Sequence, residues 1–128
     1  MILDSSAVIA VLFREHQHQQ LERTMAQAPT LAIGAPSLFE TAMVACGAFD
    51  QQGRDLLARF LEGWEVTVVP FDDRHWRVAV DAFFRYGKGR HPAALNYGDC
   101  MTYASARVAE MPLLFVGDDF ARTDIAPA

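Results

Sequence analysis

Four carboxylates occupy positions from which they can meet at one point: Asp4, Glu40, Asp99 and Asp118, the last followed directly by Asp119. Asp4 ends the apolar run 1–3, and the Asp118-Asp119 pair follows the apolar run 113–116 and Gly117. In open parallel sheets ligands bind outside the carboxyl ends of the strands, so two strand ends would deliver acids to the same edge. Glu40 falls in the first turns of a helix leaving another short strand, and Asp99 at the start of the helix leading into the last one. Converging carboxylates repel one another, and a divalent cation is the natural compensation. An oxygen-only set without His or Cys suits Mg²⁺ or Mn²⁺ and argues against zinc. Such an ion supports phosphoryl transfer, by orienting a water, lowering its pKa and stabilising charge on phosphate oxygens.

Each acid also has a plainer explanation. Ser37-Leu-Phe-Glu40 fits a capping box with Ser37 as N-cap, and Asn96-Tyr-Gly-Asp99 fits the same arrangement more loosely. Asp4 and Asp118 could each cap the segment that follows. A binding module that keeps its acids as caps is therefore one alternative. A response-regulator or phosphatase type of α/β domain is another, but it needs a Lys after a late strand, where this chain has Gly117-Asp118-Asp119.

The elements that would position the acids follow from hydrophobic patterning. Short apolar runs at 1–3, 31–33, 65–69 and 113–116 predict strands. Helical composition covers 7–13, 16–27, 37–49, 54–62, 73–86 and 97–110. Continuously apolar strands separated by helices predict an α/β fold, with a mostly parallel sheet of four or five strands covered on both faces. At 128 residues with 52% hydrophobic and 21% charged composition, residues 1–128 form one domain with a sizeable core, and disorder is excluded. Cys46 and Cys100 make neither a CxxC pair nor a disulfide framework and have no neighbouring base, which predicts a reducing cytoplasm and no thiol nucleophile. The N-terminus lacks a basic stretch before its apolar part, as a signal peptide would have, and no apolar run approaches the ~18 residues of a membrane span.

These residues resemble the PIN-domain ribonucleases and, more narrowly, the VapC toxins of bacterial type II toxin-antitoxin pairs. The resemblance rests on Asp4-Ser-Ser-Ala7, Glu40, Asn96-Tyr-Gly-Asp99, and Leu-Phe-Val-Gly-Asp-Asp-Phe120 followed by Thr123-Asp124. It implies a PIN-like three-layer α/β/α sandwich and an endoribonuclease dependent on Mg²⁺, with Mn²⁺ able to substitute. It also implies a homodimer held inactive by a VapB-type antitoxin. The family's acidic set falls on Asp4, Glu40, Asp99 and Asp118, with Asp119 as a helix-starting or supporting neighbour. Ser6 resembles the small hydroxyl residue that helps hold the first aspartate, or else caps the first helix. Thr102, one turn beyond Asp99, could support the site, although a helix-surface role is the simpler expectation.

A net charge of −5 excludes a purely electrostatic nucleic-acid binder, but the positive charge is uneven. Between residues 74 and 90 five basic side chains, Arg74, Arg77, Arg85, Lys88 and Arg90, face one acid, Asp81. Arg74, Arg77, Asp81 and Arg85 share one helix face with i,i+4 pairs at Arg77-Asp81 and Asp81-Arg85, which predicts Trp76, Ala79, Val80, Phe83 and Phe84 as the buried face. Lys88, Arg90 and His91 lie on a Gly-containing loop before the Asp99 helix and are candidates for contacting RNA, with Arg85 beside them and Tyr97 as a rim aromatic. His16 and His18, two residues apart, do not share a helix face and are surface residues.

Overall fold

The computed structural model describes all 128 residues, with four strands in the order β3-β2-β1-β4, every neighbouring pair parallel. The strands are β1 (Ile2–Leu3), β2 (Ala32–Gly34), β3 (Thr67–Val69) and β4 (Leu113–Leu114). Register pairs Ile2 with Ala32 and Leu113, and Leu3 with Ile33 and Leu114. Because side chains alternate across a strand, the first trio points to one face and the second to the other. Each face has its own core. Ile2, Ala32 and Leu113 pack with Tyr86, Leu95 and Tyr103, whereas Leu3, Ile33 and Leu114 pack with Val8, Met25 and Phe60. Burying such a side chain fully contributes about 1.5–3 kcal/mol, which sustains strands only two or three residues long.

Five helices cover the sheet: α1 (Ser5–Leu12), α2 (His18–Gln27), α3 (Ala35–Gly63), α4 (Asp73–Tyr86) and α5 (Tyr97–Ala109). The predicted three layers and parallel sheet are present. The two helices expected at 37–49 and 54–62 are one long element broken at Asp50, whose φ of 50° and ψ of −132° are not helical. Gly53 makes the fold-back possible, since a β-carbon there would stand 2.1 Å from the Ala45 carbonyl oxygen. β3 starts later than predicted because Glu65 takes a left-handed φ of 51°. β4 stops at Leu114 because its partner β1 turns into α1: the Asp4 N–H donates to the Leu114 carbonyl, and the Val116 N–H turns to the Ser6 hydroxyl.

The expected orientation of α4 is corrected. Its buried residues are His75, Ala82 and Tyr86, whereas Trp76, Val80, Phe83 and Phe84 are exposed at 47%, 41%, 43% and 58%. Helical periodicity identifies an apolar stripe but not which neighbour covers it; here α5 meets the helix on the adjoining stripe. The expected Arg77-Asp81 and Asp81-Arg85 pairs are replaced by Arg77 with Asp73 at 3.4 Å and Arg85 with Asp124 at 3.2 Å. No helix is long and apolar enough to cross a membrane.

Candidate active site

Asp4 leaves the carboxyl end of β1, an interior strand, and is the N-cap of α1. Only 5% exposed, it accepts from the Ser6 N–H at 3.0 Å, from the Ser6 hydroxyl, and from the Thr102 hydroxyl at 3.0 Å. The helix-surface expectation for Thr102 is thereby corrected. It is 2% exposed and faces inward, and its oxygen also lies 2.7 Å from the Ser37 hydroxyl.

Glu40 stands in the second turn of α3, which begins earlier than predicted. Gly34 takes the N-cap position and Pro36 lies in the first turn, where its missing N–H costs nothing. Ser37 is therefore inside the helix, and the predicted Ser37-Glu40 capping box does not form. Instead the Ser5 hydroxyl donates to Glu40 Oε1, and Glu40 Oε2 occupies the space a β-carbon on residue 98 would take.

The second capping box does form. The Asp99 N–H donates to Asn96 Oδ1 and the Asn96 N–H to Asp99 Oδ2, both at 2.9 Å. Burial pushes the Asp99 carboxyl above the ordinary carboxylate range, the Asn96 N–H works against it, and the negative charges of Asp4, Asp119 and Glu40 raise it further. Of the adjacent pair, Asp119 is among the charges that raise Asp99 most. Gly117, at a left-handed φ of 102°, turns the chain after β4, and Asp119 takes the N-cap position of a 3-10 turn, Phe120–Arg122, without a side-chain cap bond. Asp118 and Asp119 are both exposed.

None of the ion pairs in the molecule involves Asp4, Glu40, Asp99, Asp118 or Asp119. The cluster therefore carries uncompensated negative charge, and its donor set of carboxylates supported by hydroxyls fits a hard cation such as Mg²⁺ or Mn²⁺. No three His, Cys, Asp or Glu side chains are gathered closely enough to enclose an ion. Two of the donors, Asp4 and Glu40, are held by hydroxyls. Ser5 and Ser37 are the residues sequence reasoning missed. Ser5 offers the signal of a second hydroxyl beside the first acid; Ser37 offers none, since its spacing to Glu40 mimics a cap.

The basic candidates separate into free and engaged groups. Lys88 is exposed, and the Arg90 guanidinium lies over the rings of Phe83 and Phe84 at 5.0 and 5.1 Å. Arg85 is held by Asp124 and by the Tyr86 hydroxyl at 2.7 Å. His91 braces its own loop, its Nδ1 accepting from the Ala93 N–H at 3.0 Å and its ring meeting Tyr86 edge-on. Tyr97 is 83% exposed, as expected. It borders a groove of about 620 Å³ between α4 and the start of α5, lined also by Trp76, Val80, Phe83, Cys100 and Met101, with Lys88 at its edge. The groove is apolar and holds none of the acids.

A family model for the PIN domain matches residues 1–126. Over 126 residues the chain is 41% identical to a Ribonuclease VapC of Mycolicibacterium smegmatis, covering 98% of each chain. It is 40% identical to Ribonuclease VapC36 of Mycobacterium tuberculosis, covering 98% of this chain and 91% of that one. Among solved structures, Mycobacterium tuberculosis VapC20, described as a Sarcin-Ricin loop cleaving toxin, superposes with a TM-score of 0.80 at 16% identity, covering 99% of this chain and 97% of that one. VapBC2 of Rickettsia felis bound to a DNA fragment from its promoter gives 0.77 at 15% identity, covering 98% and 94%. These last two likenesses speak to the fold alone. With the family model spanning nearly every residue and relatives at about 40% identity over nearly the whole chain, the chain belongs to the PIN-domain family and, within it, to the VapC ribonucleases.

Proposed function

We propose that this protein, acting as the single domain 1–128, is the toxin of a VapB-VapC pair and an endoribonuclease that hydrolyses RNA phosphodiester bonds with Mg²⁺, or Mn²⁺ in its place. The observation that carries the reading is an acid cluster at the carboxyl edge of a parallel sheet with no cationic side chain to neutralise it. Asp4, Glu40, Asp99 and one of the pair Asp118 and Asp119 would hold the ion by drawing closer together around it. When bound, the ion supplies a nucleophilic water at neutral pH and charge stabilisation on the phosphate.

The chain's own residues do the rest. Thr102 and Ser6 fix the plane of Asp4, and Ser5 restrains Glu40. Asp99 keeps one oxygen for the ligand while Asn96 holds the other. A water oxygen bonds to phosphorus, one phosphorus–ester oxygen bond breaks, and the proton the water loses balances the one the leaving oxygen takes up. Lys88 and Arg90 contact the RNA backbone, with Tyr97 at the rim; His91 shapes that loop, and Arg85 is tied to Asp124 and Tyr86 within the fold.

Two exposed apolar faces support two protein partners. One is on α3, with Phe39, Met43, Val44 and Phe49, and the other on α4, with Trp76, Val80, Phe83 and Phe84. A second copy of the chain and a VapB-type antitoxin would cover them, in the cytoplasm. The test is cleavage of RNA by purified protein with and without Mg²⁺ or Mn²⁺, and its suppression by the co-expressed antitoxin.

A further inference from the structure

Two hydroxyls stand between Asp4 and donors farther out, and counting protons fixes the direction of both links. An ionised carboxylate only accepts, and a hydroxyl has one proton. Thr102 therefore donates to Asp4 Oδ1, and the Ser37 hydroxyl, 2.7 Å away, must donate to Thr102. On the other side the Val116 N–H donates to Ser6 Oγ at 3.0 Å, and Ser6 Oγ donates to Asp4 Oδ2. Ser37, Thr102 and Asp4 are 5%, 2% and 5% exposed, so the inner link is shielded from bulk water. The Ser37-Thr102 bond also joins α3 one turn before Glu40 to α5 one turn after Asp99.

We propose that Ser37 is a positioning residue for Asp4, acting through the Thr102 hydroxyl so that the carboxylate presents a fixed plane to an incoming cation. The inference rests on the proposed function in one respect, that Asp4 is a cation ligand. Removing Ser37 leaves Thr102 free to turn its proton elsewhere, and Asp4 then loses the donor that fixes Oδ1. Outer partners of this kind change cation affinity by about 10–100-fold when removed.

The experiment is calorimetric titration of Mn²⁺ into metal-free wild type, Ser37→Ala, Thr102→Val, Thr102→Ser and the Ser37→Ala/Thr102→Val pair, with melting temperatures measured alongside. Ser37→Ala and Thr102→Val should each weaken Mn²⁺ about tenfold. Thr102→Ser, which keeps the hydroxyl, should restore the affinity. The double variant should bind no more weakly than Thr102→Val alone, because Ser37 acts through that hydroxyl. Wild-type Mn²⁺ affinity in Ser37→Ala with only a lower melting temperature would overturn the proposal, as would losses that add in the double variant or a wild type that does not bind Mn²⁺. A protein that binds Mn²⁺ in the predicted order yet leaves RNA intact would sustain the positioning role and defeat the nuclease reading.

Discussion

Glu40 Oε2 lies 2.5 Å from the point where a β-carbon on residue 98 would stand, so the carboxylate rests in space that exists because residue 98 is glycine. Gly98 follows Tyr97 in the first turn of α5 and does not have a left-handed φ, so an alanine backbone fits there. What would have to move is the mobile end of Glu40, away from Asp99.

Gly98→Ala should therefore separate folding from function. The substitution stiffens the unfolded chain and should leave stability unchanged or raised by about 0.4–1 kcal/mol. RNA cleavage should fall at least tenfold as Glu40 is displaced. Thermal melts paired with a cleavage assay check this, and a stable variant with full activity would show that the position of Glu40 is not needed.

Asp99→Asn should stabilise the metal-free protein at neutral pH. A carboxyl whose pKa is raised in the folded state binds its proton more tightly there than in the unfolded chain, so its contribution favours folding at low pH and is lost as pH rises through the raised value. The amide removes that loss and can still accept from the Asn96 N–H. The melting temperature of the variant should exceed that of wild type at pH 7, with the difference shrinking toward pH 4.

Asp4, Asp99 and the Asp118-Asp119 pair could be placed from the sequence because each sits at a boundary that patterning marks. An apolar run stops at Asp4, another stops before Asp118, and Asn96 announces the helix that carries Asp99. Their supports were not legible. Helical spacing puts Thr102 one turn from Asp99 but does not say that Asp4 and Ser37 close over it. Ser37 misled because three residues separate a hydroxyl from an acid both in a capping box and inside a helix, and Pro36 starts the helix earlier. The α4 aromatics misled in the same way, since amphipathicity is equally strong on a face that awaits a partner.

Asp119→Asn should lower the pH at which Asp99 takes up its proton relative to wild type, and should weaken Mn²⁺ more than Asp118→Asn, because the charge of Asp119 is among those that raise Asp99. Parallel titrations of the two variants decide between the neighbours. Wild-type Mn²⁺ affinity in both variants would assign both acids to the surface.

Lys88→Ala and Arg90→Ala, each made in an Asp99→Asn background and measured with EDTA so that RNA stays intact, should weaken RNA binding and flatten its salt dependence. Loss of one contact to a single-stranded phosphate lowers the slope of log affinity against log salt by about 0.7. Arg85→Ala should leave the slope unchanged, because its guanidinium is held by Asp124 and Tyr86, and should instead lower the melting temperature.

Whether the uncompensated acid cluster is a cation-dependent RNA-cleaving site is measured most directly by the initial rate of cleavage of total cellular RNA by wild type and Asp99→Asn, each with EDTA, Mg²⁺ or Mn²⁺, with circular dichroism confirming both folds. Wild type should cleave only with a cation, and Asp99→Asn should be at least about 100-fold slower, beyond the loss expected for an outer supporting group. Cleavage by wild type in EDTA, or an undiminished rate in folded Asp99→Asn, would contradict the assignment.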